Sequence, residues 1–175
     1  MTRQQILAEL KSGDARFDVV IVGGGITGAG AAREAAGSGL RTLLVEQKDF
    51  AWGTSSRSSK MVHGGLRYLG SGHIGLARDA VRERQRMMEE APRLVDPLRF
   101  VMPHYRGQFP GPRLFQALLS VYDRLAGVSS RQRLTPSQSQ QWAPGLSQAG
   151  LLGASLFTDA LTDDARLVQR LITEA

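Results

Sequence analysis

Cysteine is absent from all 175 residues. Its absence excludes disulfides, thiolate metal sites, iron–sulfur clusters and a thiol nucleophile together. Long apolar runs are lacking as well. None approaches the roughly 20 residues that cross a bilayer, and the opening MTRQQILAELKSGDARFD is charged rather than signal-like. The chain therefore reads as cytosolic or held at a membrane surface. Acids are scarce between 91 and 150, where Asp96 and Asp123 stand against Arg93, Arg99, Arg106, Arg113, Arg124, Arg131 and Arg133, so this stretch carries +5 of the formal +6. Nucleic acid, an anionic membrane or a phosphorylated ligand would each suit such a charge. The plainer reading is an arginine-rich composition, since 19 of the 22 basic residues are Arg. With 42% hydrophobic and 22% charged residues, the composition is that of an ordinary globular chain long enough for a real core.

Thr2 is placed to cap a short amphipathic helix with Ile6, Leu7 and Leu10 on one side, ended by Gly13. Residues 17–22, Phe-Asp-Val-Val-Ile-Val, predict a strand, the glycines that follow a tight turn, and the small residues to Ala36 a helix closed by Gly37 and Gly39. Arg41 to Glu46 predicts a second strand, which makes a parallel βαβ unit. A loop rich in hydrogen-bond donors then runs from Gln47 through TSSRSSKMVHGGLRYL to Leu69. A charged helix is expected from Ile74 to Ala91, with Arg78, Arg82, Glu83, Arg86 and Glu90 wet and Ile74, Ala77, Val81 and Met88 on the other face. A second helix is expected from Leu114 to Ala126, followed by a polar loop from Gly127 to Arg133. Thr135 is an N-cap with Pro136 at the first helical position, Leu151–Phe157 is a candidate strand, and Asp163 caps a helix running from Asp164 to Ala175. The chain stops inside that last helix without a stop signal, as an unfinished one would.

Gly23-x-Gly25-x-x-Gly28, between a strand and a helix, is the dinucleotide fingerprint. The first glycine makes the turn, the second admits a pyrophosphate and the third lets helix meet strand, while the helix N-terminus offers N–H groups to phosphate. Glu46 ends the second strand where a carboxylate accepts hydrogen bonds from an adenosine ribose. The fingerprint alone does not separate FAD from NAD. The long Ser/Thr/Gly loop after Glu46 favours FAD, whose pyrophosphate, ribityl chain and ring need backbone and hydroxyl lining, over further regular βαβ units.

Four segments carry a resemblance to a known family: VVIVGGGITGAGAAREAAGSGL at 19–40, GTSSRSSKMVHGGLRYL at 53–69, RERQRMMEEAPRLVDPLRFVMPHY at 82–105 and FTDALTDDARLV at 157–168. On these the chain resembles the N-terminal part of the FAD-dependent, quinone-linked aerobic glycerol-3-phosphate dehydrogenases, whose relatives include the glycerol-3-phosphate oxidases. The loop SSRSSKMVHGGLRYL is the most specific of them. The resemblance implies an α/β fold: a Rossmann-like FAD-binding domain opened by its βαβ unit, then the beginning of a mixed α+β substrate or cap region, incomplete here. The expected divisions are a helix over 1–16, the first part of the FAD domain over 17–72, and a helical and mixed segment over 73–175. Glu34 and Ser38 replace the family's usual Asp and Arg, and an aromatic common near Thr158 is missing. Family members run to about three times this length or more, so a fragment, a truncated reading frame or a half needing a partner chain is expected, inactive alone.

The resemblance implies hydride transfer from carbon 2 of glycerol 3-phosphate to flavin N5, giving dihydroxyacetone phosphate, with the electrons passed to quinone. His63 is the candidate base for the hydroxyl proton, because imidazole is neutral and basic near pH 7. Arg67 is the candidate anion partner. The cofactor-binding candidates are Gly23, Gly24, Gly25, Thr27, Gly28, Glu46, Thr54, Ser55, Ser56, Ser58, Ser59, Lys60, His63, Gly64 and Gly65; half of the serines are expected only to stabilise the turn. No metal is expected, since Asp163 and Asp164 are first a cap and a dipole partner. His73 and His104 are expected to be structural. The helix 114–126, between Arg113 and Arg124, suits either core or an anionic membrane on the inner face of the cytoplasmic membrane. Another hydroxy- or amino-acid flavin oxidase, or a non-catalytic nucleotide-binding module, are the alternatives. Nucleic acid is the weakest partner, because no aromatics interleave the arginines.

Overall fold

Val-Val-Ile-Val and Thr-Leu-Leu-Val, two β-branched and apolar tetrapeptides, extend as β1 (Val19–Val22) and β2 (Thr42–Val45), the ends of a βαβ unit. The computed structural model describes residues 3–13 and 15–175; the expected Thr2 cap lies outside them. In chain order the elements are α1 (Arg3–Ser12), β1, α2 (Ile26–Gly37), β2, a 3₁₀ turn at Thr54–Ser56, β3 (Met61–Val62), α3 (Leu66–Gly70) and α4 (Ile74–Glu90). After these come β4 (Val95–Tyr105), α5 (Pro112–Ala126), β5 (Gln132–Leu134), α6 (Pro136–Trp142), β6 (Leu151–Thr162) and α7 (Asp164–Glu174). They divide into two compact units, the first comprising the residues up to Ser59 with Asp163–Ala175, the second Lys60–Thr162. The division falls at Ser59, inside the Ser/Gly loop, and the last helix belongs to the first unit.

In the first unit β1 and β2 pair in parallel, Val19 opposite Thr42 and Val22 opposite Val45. α2 buries Ala29 and Ala32, residues small enough for a close approach, and Ala29 packs with Ala51 and with Val168 of α7. Asp163 caps α7 as expected, its Oδ1 accepting the Arg166 N–H at 3.1 Å.

The second unit is a sheet built on β6. β4 pairs with β6 antiparallel over nearly its whole length, from Val95 opposite Thr162 to Tyr105 opposite Leu151. The short strands β3 and β5 also pair with β6, at Ala160–Leu161 and Ala154–Leu156. β6 is thus five residues longer than the strand expected at 151–157, and β4 and β5 replace what read as connection. Pro97 and Pro103 hid β4: proline suits only an edge strand, and β4 lies at the end of the sheet order. The Gln47–Leu69 segment likewise contains β3 and the 3₁₀ turn rather than loop alone.

Helices α4 and α5 follow their expected spans. Ile74, assigned to the dry face of α4, is 58% exposed, and the buried positions are Ala77, Val81 and Arg84. α5 sends Phe115, Leu119 and Tyr122 into the core, where Phe115 meets Phe157 edge to face with ring centroids 6.0 Å apart. Its apolar stripe is therefore core. Asp123, also buried, accepts the N–H and hydroxyl of Ser130 and pairs with Arg131 at 3.0 Å, which folds the polar loop back and cancels one charge of the basic stretch. Thr135 forms a complete capping box with Gln138.

His104 is buried on β4, structural as expected. Its Nδ1 meets the Pro110 carbonyl at 3.3 Å and its Nε2 meets Ser155 Oγ at 2.8 Å, while Gln116 donates to the same hydroxyl oxygen at 2.9 Å. A carbonyl only accepts, so Nδ1 carries the proton and Nε2 accepts from Ser155. Burial is the largest cause that holds this imidazole below its usual value of 6.5. Protonation is thus easier in the unfolded chain, and stability is full above about pH 6.5 and lost as pH falls through the folded value. Urea unfolding should show a midpoint that drops between pH 7 and pH 5. In His104→Asn that drop should shrink; an equal drop in the variant would show that His104 is not its source.

Candidate functional site

The glycine turn of the first unit is fixed by three steric demands. Gly23 has φ +112°, which an L side chain rarely adopts. A Cβ at Gly28 would collide with the Gly23 carbonyl oxygen and stand 3.4 Å from Ile21 of β1, so the third glycine lets α2 meet the strand. A Cβ at Gly24 would press on the Phe50 ring at 2.5 Å.

Glu46, just past β2, closes this turn with its carboxylate. Oε2 accepts the Gly24 N–H at 2.8 Å and Oε1 accepts the Lys48 N–H at 2.9 Å. These two backbone bonds, Gly24 first, hold its carboxyl below the ordinary value of 4.5. Each oxygen keeps acceptor capacity for a further donor. Val22, Gly23, Val45, Glu46 and Gln47 line a cleft of about 400 Å³ at the carboxyl ends of the two parallel strands, where open α/β sheets bind nucleotides.

Ser55 stands at the start of α2. Its hydroxyl oxygen accepts the Ile26 N–H at 2.9 Å, and a Cβ at Gly25 would lie 3.1 Å from it. Its proton remains free to be donated. The Thr27 and Gly28 N–H groups, in the first turn of α2, take no hydrogen bond among the described residues, which leaves them for an anion. Gly23, Gly24, Gly25, Gly28, Glu46 and Ser55 thus gather in one place. Ser58 turns elsewhere: its hydroxyl donates to Asp164 Oδ2 at 2.7 Å and its N–H reaches the same oxygen at 3.1 Å, tying the loop to α7. Ser56 reaches the Gly53 carbonyl at 3.4 Å. Thr27, Thr54 and Ser59 are exposed.

The second unit carries the histidine turn. Lys60, with φ +59°, gives its carbonyl to the Thr162 N–H at 2.8 Å. His63 is exposed and meets the Tyr68 ring edge to face at 6.3 Å. Gly64 and Gly65 are buried, and Gly65 takes the left-handed conformation, φ +76°, that opens α3. The Arg67 guanidinium is exposed over the Tyr68 ring, 5.7 Å from its centre, and has no carboxylate partner among the described residues. The Gly64 N–H is donated to Asp159 at 2.9 Å. Asp159, Arg84 and Tyr122, which together support this turn, escaped the sequence reading. Arg84 had a signal: it continues the buried spacing Ala77, Val81 on α4, where a charge needs a partner.

The family described as FAD dependent oxidoreductase matches residues 18–175. The aerobic glycerol-3-phosphate dehydrogenase of Staphylococcus saprophyticus is 43% identical over 178 residues, covering 100% of this chain and 32% of the relative. The glycerol-3-phosphate dehydrogenase of Mycobacterium leprae is 42% identical over 168 residues, covering 94% of this chain and 28% of the relative. The solved glycerol-3-phosphate dehydrogenase of Bacillus halodurans, complexed with FAD, superposes with a TM-score of 0.69 at 29% identity, covering 98% of this chain and 27% of that one. The chain spans about a third of the length of the curated relatives it matches.

Gly28→Ala should destabilise the first unit by about 1–3 kcal/mol and weaken ADP binding. Gly30→Ala, in α2 with nothing within 4 Å of its Cβ, should be neutral or stabilising by up to about 1 kcal/mol. Urea unfolding and ADP calorimetry would check both, and equal behaviour of the two variants would refute the close approach at position 28.

Proposed function

Because the chain belongs to the FAD dependent oxidoreductase family, we propose that it carries the nucleotide-binding elements and the His63–Arg67 turn of an enzyme that oxidises sn-glycerol 3-phosphate to dihydroxyacetone phosphate. The observation that carries this reading is the Gly23–Gly28 turn, with Glu46 lining the cleft beside it and Ser55 at the start of α2. The names and identities of the two curated relatives favour this substrate over amino acids or other hydroxy acids.

The residues present fit FAD. Glu46 offers acceptor oxygens to an adenosine ribose, and the pyrophosphate has the Thr27 and Gly28 N–H groups and the Ser55 hydroxyl proton as donors. Gly25 keeps that approach clear of a side chain. Thr54, Ser56, Ser59 and Lys60 are proposed along the rest of the cofactor, together with Gly64 and Gly65, while Ser58 serves the fold through Asp164. When bound, FAD supplies the hydride acceptor, flavin N5.

His63 accepts the proton of the C2 hydroxyl on an unprotonated ring nitrogen. The C2 hydrogen leaves with its electron pair, and the C2–O bond becomes the ketone. Arg67, exposed and without an acidic partner among the described residues, binds an anion, either the substrate or the reduced flavin. Quinone is the proposed final electron acceptor. The proposed location is the cytoplasm or the inner face of its membrane. Among the described residues no helix is long and apolar enough to cross a membrane, and contact with lipid would rest on the outward face of α5, where Leu114 and Val121 lie exposed with Arg113 and Arg124.

In the full-length, FAD-loaded form, His63→Ala and Arg67→Ala should each lower turnover of glycerol 3-phosphate by about 100-fold or more with flavin absorbance unchanged. Wild-type rates in both would remove these residues from the reaction. Vesicles containing anionic lipid should float the protein at low salt and release it at high salt; absence of flotation at low salt would leave α5 with no lipid contact.

A further inference from the structure

One carboxylate oxygen in the interior of the second unit receives three groups. Asp159 Oδ1 accepts the Gly64 N–H at 2.9 Å and Arg84 Nη1–H at 2.9 Å, and the Tyr122 hydroxyl donates to it at 3.2 Å. That hydroxyl itself accepts the other Nη1 hydrogen of Arg84 at 2.6 Å. Asp159 is 2% exposed, Arg84 4% and Tyr122 1%.

Stability does not explain this cluster. Taking two opposite charges out of water costs about as much as their attraction returns, so an apolar core of the same volume is commonly as stable. Here the cost is visible, since Arg84 Nε is buried with no hydrogen-bond partner among the described residues. What the ion pair does supply is an acceptor oxygen fixed in position.

That oxygen is needed where the ladder stops. Met61 pairs with Leu161 and Val62 with Ala160, so the next position on β6 is Asp159, and its side chain replaces the backbone in holding the turn. The fit is close, because a Cβ at Gly64 would collide with the Tyr122 hydroxyl and one at Gly65 would meet the Tyr68 ring at 2.7 Å. His63 immediately precedes the anchored N–H, and Arg67 follows it three residues on, in the first turn of α3.

We propose that Asp159, clamped by Arg84 and Tyr122, is a positioning residue that sets where the His63 imidazole and the Arg67 guanidinium are presented. This rests on the reading of His63 and Arg67 as reacting groups. The role falls to Asp159 because the turn on either side of Gly64 is exposed at His63 and Arg67, and a shift of about 1 Å in a reacting group lowers a rate severely.

The test is the double variant Arg84→Met with Asp159→Leu, which keeps volume and removes both charges, beside Tyr122→Phe and Asp159→Asn. In the full-length, FAD-loaded form the double variant should keep its flavin. Its kcat for glycerol 3-phosphate per bound flavin should fall about tenfold or more, with KM changed less than about twofold. The Gly64 amide should exchange with solvent about 100-fold faster. Asp159→Asn, which retains an oxygen for Gly64, should recover part of both. Wild-type kcat with wild-type Gly64 exchange in the double variant would overturn the proposal. If the double variant fails to fold, Tyr122→Phe decides by the same two readouts, unchanged values again overturning it. If the full-length form does not oxidise glycerol 3-phosphate, the functional reading fails by itself, and Gly64 exchange still decides whether Asp159 anchors the turn.

Discussion

A glycine turn can approach a ligand or a neighbouring side chain closely, but its backbone N–H must still find an acceptor once water is excluded. In both units a carboxylate meets that demand. Glu46 takes the Gly24 N–H at 2.8 Å, and Asp159 takes the Gly64 N–H at 2.9 Å. Each acid follows or belongs to a strand, so the sheet transmits its rigidity to a loop that has no ladder of its own. The two differ in solvation. Glu46 lies in an accessible cleft and keeps acceptor capacity for a ligand, whereas Asp159 is spent on the protein itself and is paired with Arg84 in the interior.

The second unit's design follows from the length of β6. Twelve residues allow it to pair with β4 along one side and with β5 and β3 in succession along the other. α5 then covers this sheet through Phe115 and Leu119, against Phe157. The same helix delivers Tyr122 to Asp159, and its Asp123 secures the loop to Arg131. One helix thus serves the core, a buried polar cluster and a loop anchor.

Local features were legible where a single residue type dictates the backbone. The βαβ unit with its glycines, the Thr135 cap with Pro136 and the Asp163 cap all stand at the positions their chemistry predicts. Glu46, at the end of β2, could be placed from strand and spacing alone. What escaped depends on partners distant in sequence. β4 carries two prolines and is a strand only because β6 pairs with it; β5 is three residues of a loop until β6 holds it. Arg84, Tyr122 and Asp159 are separated by 38 and 37 residues along the chain, and no periodicity within one element announces such a cluster.

The first unit shows a different balance. Parallel strands read as continuous apolar runs because both faces of such a sheet are ordinarily covered. In this chain α2 covers the face bearing Val19 and Ile21, while Val20 and Val22 point away from it, Val22 84% exposed. Two strands alone are marginal in water. The packing of Ala29 and Ala51 against Val168, with Asp164 holding Ser58, is what the described residues supply in compensation. Any ligand that engages Glu46 and the start of α2 stabilises this unit by mass action, so order in the glycine turn and occupancy of the cleft rise together.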